Sequence, residues 1–222
     1  MSNARRISLH GMFDRNALAR WREFRPTRTF ISNALIAVGA LVLLYVGWAY
    51  FSMWHNQRTL SRQWKADHEA PATTNSPRRV DDGLVRVLIP KADVDAIVVD
   101  GVTRRELAVG PGHMPATPMP GELGNSVISA HRDTFFRHIG DLRSGDEITV
   151  RRGGDVYHFS VYKKRIVDPS DMSVVEPTPD AQLTLITCYP TYFIGPAPKR
   201  LIVSSKLVRK DPDLVSAASS LK

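Results

Sequence analysis

The sequence predicts an all-β domain, barrel or sandwich, behind a single membrane-crossing helix. Three observations lead there. From residue 83 onward the chain breaks into short apolar or alternating runs separated by Gly and Pro, a spacing that favours an all-β barrel or sandwich over alternating β and α units. Ahead of them, residues 30–54, "FISNALIAVGALVLLYVGWAYFSMW", hold twenty-five positions without one Asp, Glu, Lys, Arg or His, enough to cross a bilayer as a helix. The 222 residues at 43% hydrophobic content leave room for one domain with a core plus an appendage.

Taken in order, residues 1–29 form a basic arm with seven Arg against Asp14 and Glu23, a net +5 of the chain's +8. The basicity is therefore mostly N-terminal, and no Lys/Arg stripe interleaved with aromatics marks a nucleic-acid groove in the rest. The apolar segment 30–54 is longer than a signal-peptide core and lacks a small-residue cleavage site, which fits an uncleaved signal anchor. The Arg excess before it, against Arg58, Arg62 and Lys65 beside Asp67 and Glu69 after it, puts the N-terminus in the cytoplasm. Tyr45, Trp48, Tyr50, Phe51 and Trp54 load the far end with aromatics suited to a membrane interface. Residues 55–82 read as a stalk, starting as an exposed helix and passing into the Pro/Thr/Asn/Ser-rich linker "PATTNSPRRVDD".

The folded domain is expected over 83–210. Its strand-like runs are "LVRVLIP", "VDAIVVDG", "NSVISAH", "DEITVRR", "DVYHFSVYKKRIV", "QLTLITC" and "RLIVSSKLV". A Gly-Gly-Asp turn leads into the alternating "VYHFSVY". Helical material is slight: "TRRELA", and turns at "DTFFRHIG" and "SDMSVVEP". The tail 211–222 carries no pattern and is expected to be disordered.

The orientation of the anchor places residues 55–222 outside the cytoplasm, where thiols tend to be paired, yet Cys188 is the only cysteine. It must be buried, intermolecular or functional. Free Cys is often a small buried hydrophobe, but the alternation of "LTLITCYP" stops at Cys188 before Pro190, and strand ends are where sites are commonly built. A nucleophilic thiol needs a base or cation nearby. His113 in "GPGHMP" and His158 on an alternating strand read as surface or packing residues, and His138 as a residue on the surface of a turn. His131 ends the strand "SVISA" much as Cys188 ends its own, so it is the candidate base, a structural His being the alternative. Asp133 could orient it or cap the turn that follows. Eleven residues containing Gly195 and three Pro separate Cys188 from Arg200, so their strands read as an antiparallel pair. Arg200 is then either close to the thiol, favouring a thiolate or stabilising an oxyanion, or a solvated strand-end charge like Lys199. There is no second Cys for a zinc pair, no His pair at metal-ligand spacing and no phosphate-binding glycine motif. The "HRD" of residues 131–133 echoes a kinase catalytic loop without any of its companion motifs and is set aside.

The segments "TLITC" at 184–188, "ISAHRDTFF" at 128–136 and "APKRLIV" at 197–203 resemble the sortases, membrane-anchored cysteine transpeptidases built on an eight-stranded β-barrel. The resemblance spans roughly 84–208, and the uninterrupted "CYPTYFIGPAPKR" is most similar to class D. It implies Cys188 as nucleophile, His131 as acid/base partner, Arg200 as the oxyanion-stabilising cation and Thr187 as a substrate-binding residue lining the groove. It further implies cleavage of an LPxTG-like sorting signal near the C-terminus of an exported protein, a thioacyl-enzyme, transfer to an amine on a cell-surface component, and no cofactor or metal. Ala130 stands where many relatives have Gly, and no Asp-Pro-aromatic lid precedes the barrel, which argues against a pilin polymerase. Two alternatives stay open on the residues: a cysteine protease that hydrolyses the same thioester, and a noncatalytic anchored binding domain.

Overall fold

The computed structural model describes residues 28–68, 84–192 and 195–213. The expected arm up to residue 27, the linker from 69 to 83 and the tail beyond 213 lie outside the described residues. By contacts the chain divides into two units, Met1–Ala49 and Tyr50–Lys222. Helix α1, Arg28–His68, contributes to both. In the first unit its side chains from 28 to 49 are all exposed, and the helix is long and apolar enough to cross a membrane.

The second unit is a closed barrel of eight strands. They are β1 (Val85–Ile89), β2 (Val94–Asp100), β3 (Gly112–His113), β4 (Asn125–Ser129), β5 (Glu147–Arg152), β6 (Asp155–Val167), β7 (Gln182–Tyr189) and β8 (Lys199–Pro212), and the order around the barrel is β1-β2-β3-β4-β7-β8-β6-β5. The β2–β3 and β4–β7 pairs are parallel, the rest antiparallel. Period-two alternation sorts each strand: Val85, Val87 and Ile89, Ile148 and Val150, Phe159 and Val161, Leu183 and Leu185, and Leu201 and Val203 fill one interior cluster. The β5–β6 hairpin turns on Gly153 and Gly154, both at positive φ, as its Gly-Gly-Asp sequence predicts. Helix α2, Arg104–Leu107, opens with the Glu106 carboxylate accepting the Thr103 N–H at 3.0 Å. Single 3-10 turns stand at Ile139–Asp141 and Met172–Val175.

Three features depart from the sequence reading. Strand β3 is not among the strand-like runs of the sequence, because two residues, one of them glycine, carry no periodicity. Gly112 is required there because a Cβ would lie 2.0 Å from the Gly101 carbonyl oxygen. Strand β8 runs past the expected boundary at 210, because Asp211 and Pro212 pair with Val156 and Asp155 and Lys210 bonds Asp155 at 2.8 Å. The start of the stalk is helical, as expected, but two of its side chains are committed to the barrel. The Gln57 amide donates to the carbonyls of Ile97 and Val109, each at 3.1 Å, and accepts the Ile97 N–H at 3.0 Å. Trp64 is 1% exposed under the Arg86 guanidinium.

Candidate active site

Strands β4, β7 and β8 lie side by side, and their registers decide which strand-end residues meet. In the antiparallel β7–β8 pair Cys188 stands opposite Arg200 and Tyr189 opposite Lys199. Directly opposed residues share a face of the sheet, so Arg200, not Lys199, is the cation on the side of the thiol. Lys199 is engaged elsewhere, with Asp168 at 2.7 Å. In the parallel β4–β7 pair the last opposed residues are Ser129 and Ile186. The Ala130 N–H continues to the Ile186 carbonyl at 3.2 Å, and the Thr187 hydroxyl donates to the Ala130 carbonyl at 2.8 Å. Extrapolated two residues past the end of β4, that register sets His131 against Cys188.

The parity of β7 then identifies the face. Leu183 and Leu185 point into the interior cluster, so Thr184, Ile186 and Cys188 occupy the outer face, with Val127 and Ser129 of β4 alongside. The candidate site is thus at the ends of β4 and β7, on the outer face of the sheet. Cys188 is half-buried and free, and His131 is exposed. The Arg200 guanidinium donates from Nη1 to the carbonyls of Ala197 and Lys199 at 3.3 and 3.0 Å, and the residue is half-buried.

Thr187, expected to line the groove, is buried. At 1% exposure, with its hydroxyl given to Ala130, it secures the end of β4 to β7 from the inner side. The pattern "TLITC" could not show this, because strand parity alone decides whether the residue before the cysteine faces the groove. Asp133 neither orients His131 nor caps the turn; its carboxylate faces Arg132 Nε at 3.6 Å.

The other three histidines of the barrel are occupied structurally. His113 is buried, with Nε2 3.0 Å from the Pro118 carbonyl. His138 approaches Asp141 and the Tyr192 hydroxyl. His158 sits between Glu147 and Asp211, and its hydrogen bond holds the Glu147 carboxyl below the ordinary carboxylate range. Among the described residues no three His, Cys, Asp or Glu side chains are placed to hold a metal ion. Sequence reasoning missed Arg132, which is 7% exposed and bonded to the carbonyls of Pro190 and Gly195. Its only signal was the "HRD" motif that had been set aside.

Comparison with known proteins places the barrel in a family. The family model for the sortase domain matches residues 87–208. Sortase D of Bacillus subtilis is 36% identical over 121 residues, covering 54% of this chain and 61% of the relative. Sortase A of Listeria monocytogenes is 30% identical over 106 residues, 46% of this chain and 47% of the relative. The match therefore spans less than two thirds of these relatives' length. A Clostridium perfringens structure described as a Sortase D5 transpeptidase superposes with a TM-score of 0.52 at 30% identity, covering 57% of this chain and 79% of that one. The matched segment covers more than half of the chain: the chain belongs to the sortase family, close to class D.

Proposed function

We propose that this protein is a membrane-anchored cysteine transpeptidase that cuts a C-terminal, LPxTG-like sorting signal of exported proteins and transfers the new C-terminus to an amine on a cell-surface component. The observation that supports this reading is the pairing of Cys188 with Arg200 across β7 and β8, together with the β4–β7 register, which brings His131 toward Cys188 when extended two residues past its last pair, Ser129 and Ile186. Strands are about 4.8 Å apart, so one acyl carbon at Cys188 Sγ lies within reach of groups from both neighbours.

In this mechanism the Cys188 thiolate adds to the threonyl carbonyl of the signal, and the negative charge on the carbonyl oxygen develops beside Arg200. Collapse breaks the peptide bond, and His131 gives its proton to the departing amine, leaving a thioester on Cys188. An incoming amine then attacks the thioester, His131 takes up its proton, and the thiolate leaves. Splitting one acyl transfer into two easier steps is the general advantage of covalent catalysis. The Arg bias ahead of α1 supports an N-terminus in the cytoplasm and a catalytic domain outside.

The reading is tested with the purified full chain in detergent, a Leu-Pro-containing signal peptide and a panel of amines at millimolar concentration, reading products by mass. The expected outcome is an amide product that disappears in Cys188→Ala. An amine wins over water only if the enzyme holds it near the acyl carbon. Release of the free acid alone, whatever the amine, would establish a hydrolase. Neither product nor acyl-enzyme with any such peptide would leave a binding domain.

A further inference from the structure

His131 lies one residue beyond the last backbone bond that pairs β4 with β7. The ladder by itself therefore does not fix how far the imidazole stands from the thiol. Its two chain neighbours are nevertheless tied to the two sides of Cys188. Ahead of it, the Ala130 carbonyl accepts the hydroxyl of Thr187, the residue before the cysteine. Behind it, Arg132 reaches across to the loop that follows the cysteine, donating from Nη1 to the Pro190 carbonyl at 2.8 Å and from Nη2 to the Gly195 carbonyl at 2.5 Å.

The Arg132 side chain is only 8% exposed. A buried cation is costly unless its donors are satisfied, and here the planar fork meets two carbonyls five residues apart in one loop, with the Asp133 carboxylate 3.6 Å from Nε. A surface arginine has no reason to be held so. The far end of the His131 loop is equally fixed: the Phe136 N–H bonds the His131 carbonyl at 3.2 Å, and Phe136, Ile139 and Leu142 are fully buried in the core. A further contact, Tyr192 to His138 at 3.3 Å, joins the same two segments at their exposed side.

We propose that Arg132 is the positioning residue of this site: it clamps the loop after Cys188 to the loop after β4 and so sets the spacing between His131 and the thiol. The proposal rests on the acid/base and nucleophile roles given above, and it assigns Arg132 no contact with substrate. Both proton transfers depend on that spacing, so both half-reactions need the clamp. Simple exposure of the thiol does not.

The test uses the full chain in detergent, with Arg132→Gln and Arg132→Lys. Misplacing a reacting group by about 1 Å can cost roughly 100-fold. Arg132→Gln is therefore expected to acylate about 10- to 100-fold more slowly at saturating signal peptide, while the half-saturating peptide concentration and the rate of Cys188 alkylation by iodoacetamide each stay within about threefold. Lysine can satisfy one carbonyl but lacks the fork, so Arg132→Lys should fall between glutamine and wild type. Acylation at the wild-type rate in Arg132→Gln overturns the proposal, as does a parallel fall in alkylation, which would place the defect at the thiol. Should the glutamine variant not fold, a wild-type rate in Arg132→Lys is the overturning result. If the wild type itself forms no acyl-enzyme, the functional reading fails and amide exchange decides the clamp. Segments 131–137 and 189–192 should exchange at least about tenfold faster in Arg132→Lys than in wild type, and unchanged exchange there overturns it.

Discussion

Arg200 and Lys199 are adjacent cations at one strand start, and only pairing register separates them. Arg200 opposes Cys188, whereas Lys199 opposes Tyr189 and is bonded to Asp168. Substituting each therefore tests the assignment. Arg200→Lys keeps the charge but loses the planar fork, and removal of one oxyanion donor typically costs about 2.7–4 kcal/mol, so kcat should fall roughly 100- to 1,000-fold. Lys199→Ala should stay within about threefold, since an exposed ion pair contributes about 0–1 kcal/mol. Steady-state rates on one signal peptide check both. A near-normal Arg200→Lys would remove the oxyanion role, and a crippled Lys199→Ala would move it to the wrong residue. The candidate residues were legible in the sequence because their types are scarce at strand ends: one Cys, one His closing a strand, and an Arg opening the next. The direction each faces was not legible. That is why Thr187 was assigned to the groove although it is buried, and why Arg132, whose role depends on two carbonyls remote in sequence, went unread.

At the scale of elements, seven of the eight strands announce themselves by alternation or apolar runs, and β3 does not. A two-residue strand is made by its neighbours: Gly112 can approach the Gly101 carbonyl only because it lacks a Cβ, and the His113 carbonyl accepts the Gly101 N–H at 2.9 Å. The helix residues 50–68 pose the related question of why a stalk should belong to the barrel. Between β2 and the start of β3 the ladder has a gap, and the Gln57 amide fills it by bonding both the N–H and the carbonyl of Ile97 and the carbonyl of Val109. Gly110 leaves space for that amide, since a Cβ would lie 2.2 Å from Gln57 Nε2. Ile97 lies on the opposite face of β2 from interior Val94 and Val98, yet is fully buried beside this contact. Arg86, the residue paired with Ile97, lies over Trp64 and in turn bonds Asp95 at 2.7 and 2.8 Å. A soluble piece starting at 83 should then fold but be less stable than one starting at 55. Losing the buried Trp alone is comparable to a Trp→Ala change of about 3–5 kcal/mol. In the longer piece Gln57→Ala should cost about 1–3 kcal/mol by leaving β2 groups unpaired. Thermal unfolding of the three proteins measures this; equal midpoints for the 55 and 83 pieces would mean that the helix contributes nothing to the barrel.

For the whole molecule, the functional reading requires that the catalytic unit and the basic arm lie on opposite sides of a membrane. Seven Arg precede the apolar segment, while the charges just after it are mixed, and an excess of positive charge is retained on the cytoplasmic side. The chain supplies its own probe, because Cys188 is its only thiol and is half-buried rather than sealed. A membrane-impermeant maleimide added to intact spheroplasts should label Cys188, and permeabilising the cells should add little. The complementary protein, Cys188→Ala with Ser2→Cys in the arm, should label only after permeabilisation. The permeabilised samples establish that each thiol is reactive, so a negative result in intact cells reports on sidedness. Reversal of the two patterns would place the thiol in the cytoplasm, where exported sorting signals and surface amines are out of reach. That result would refute the proposed function even for a barrel that cleaves peptides in solution.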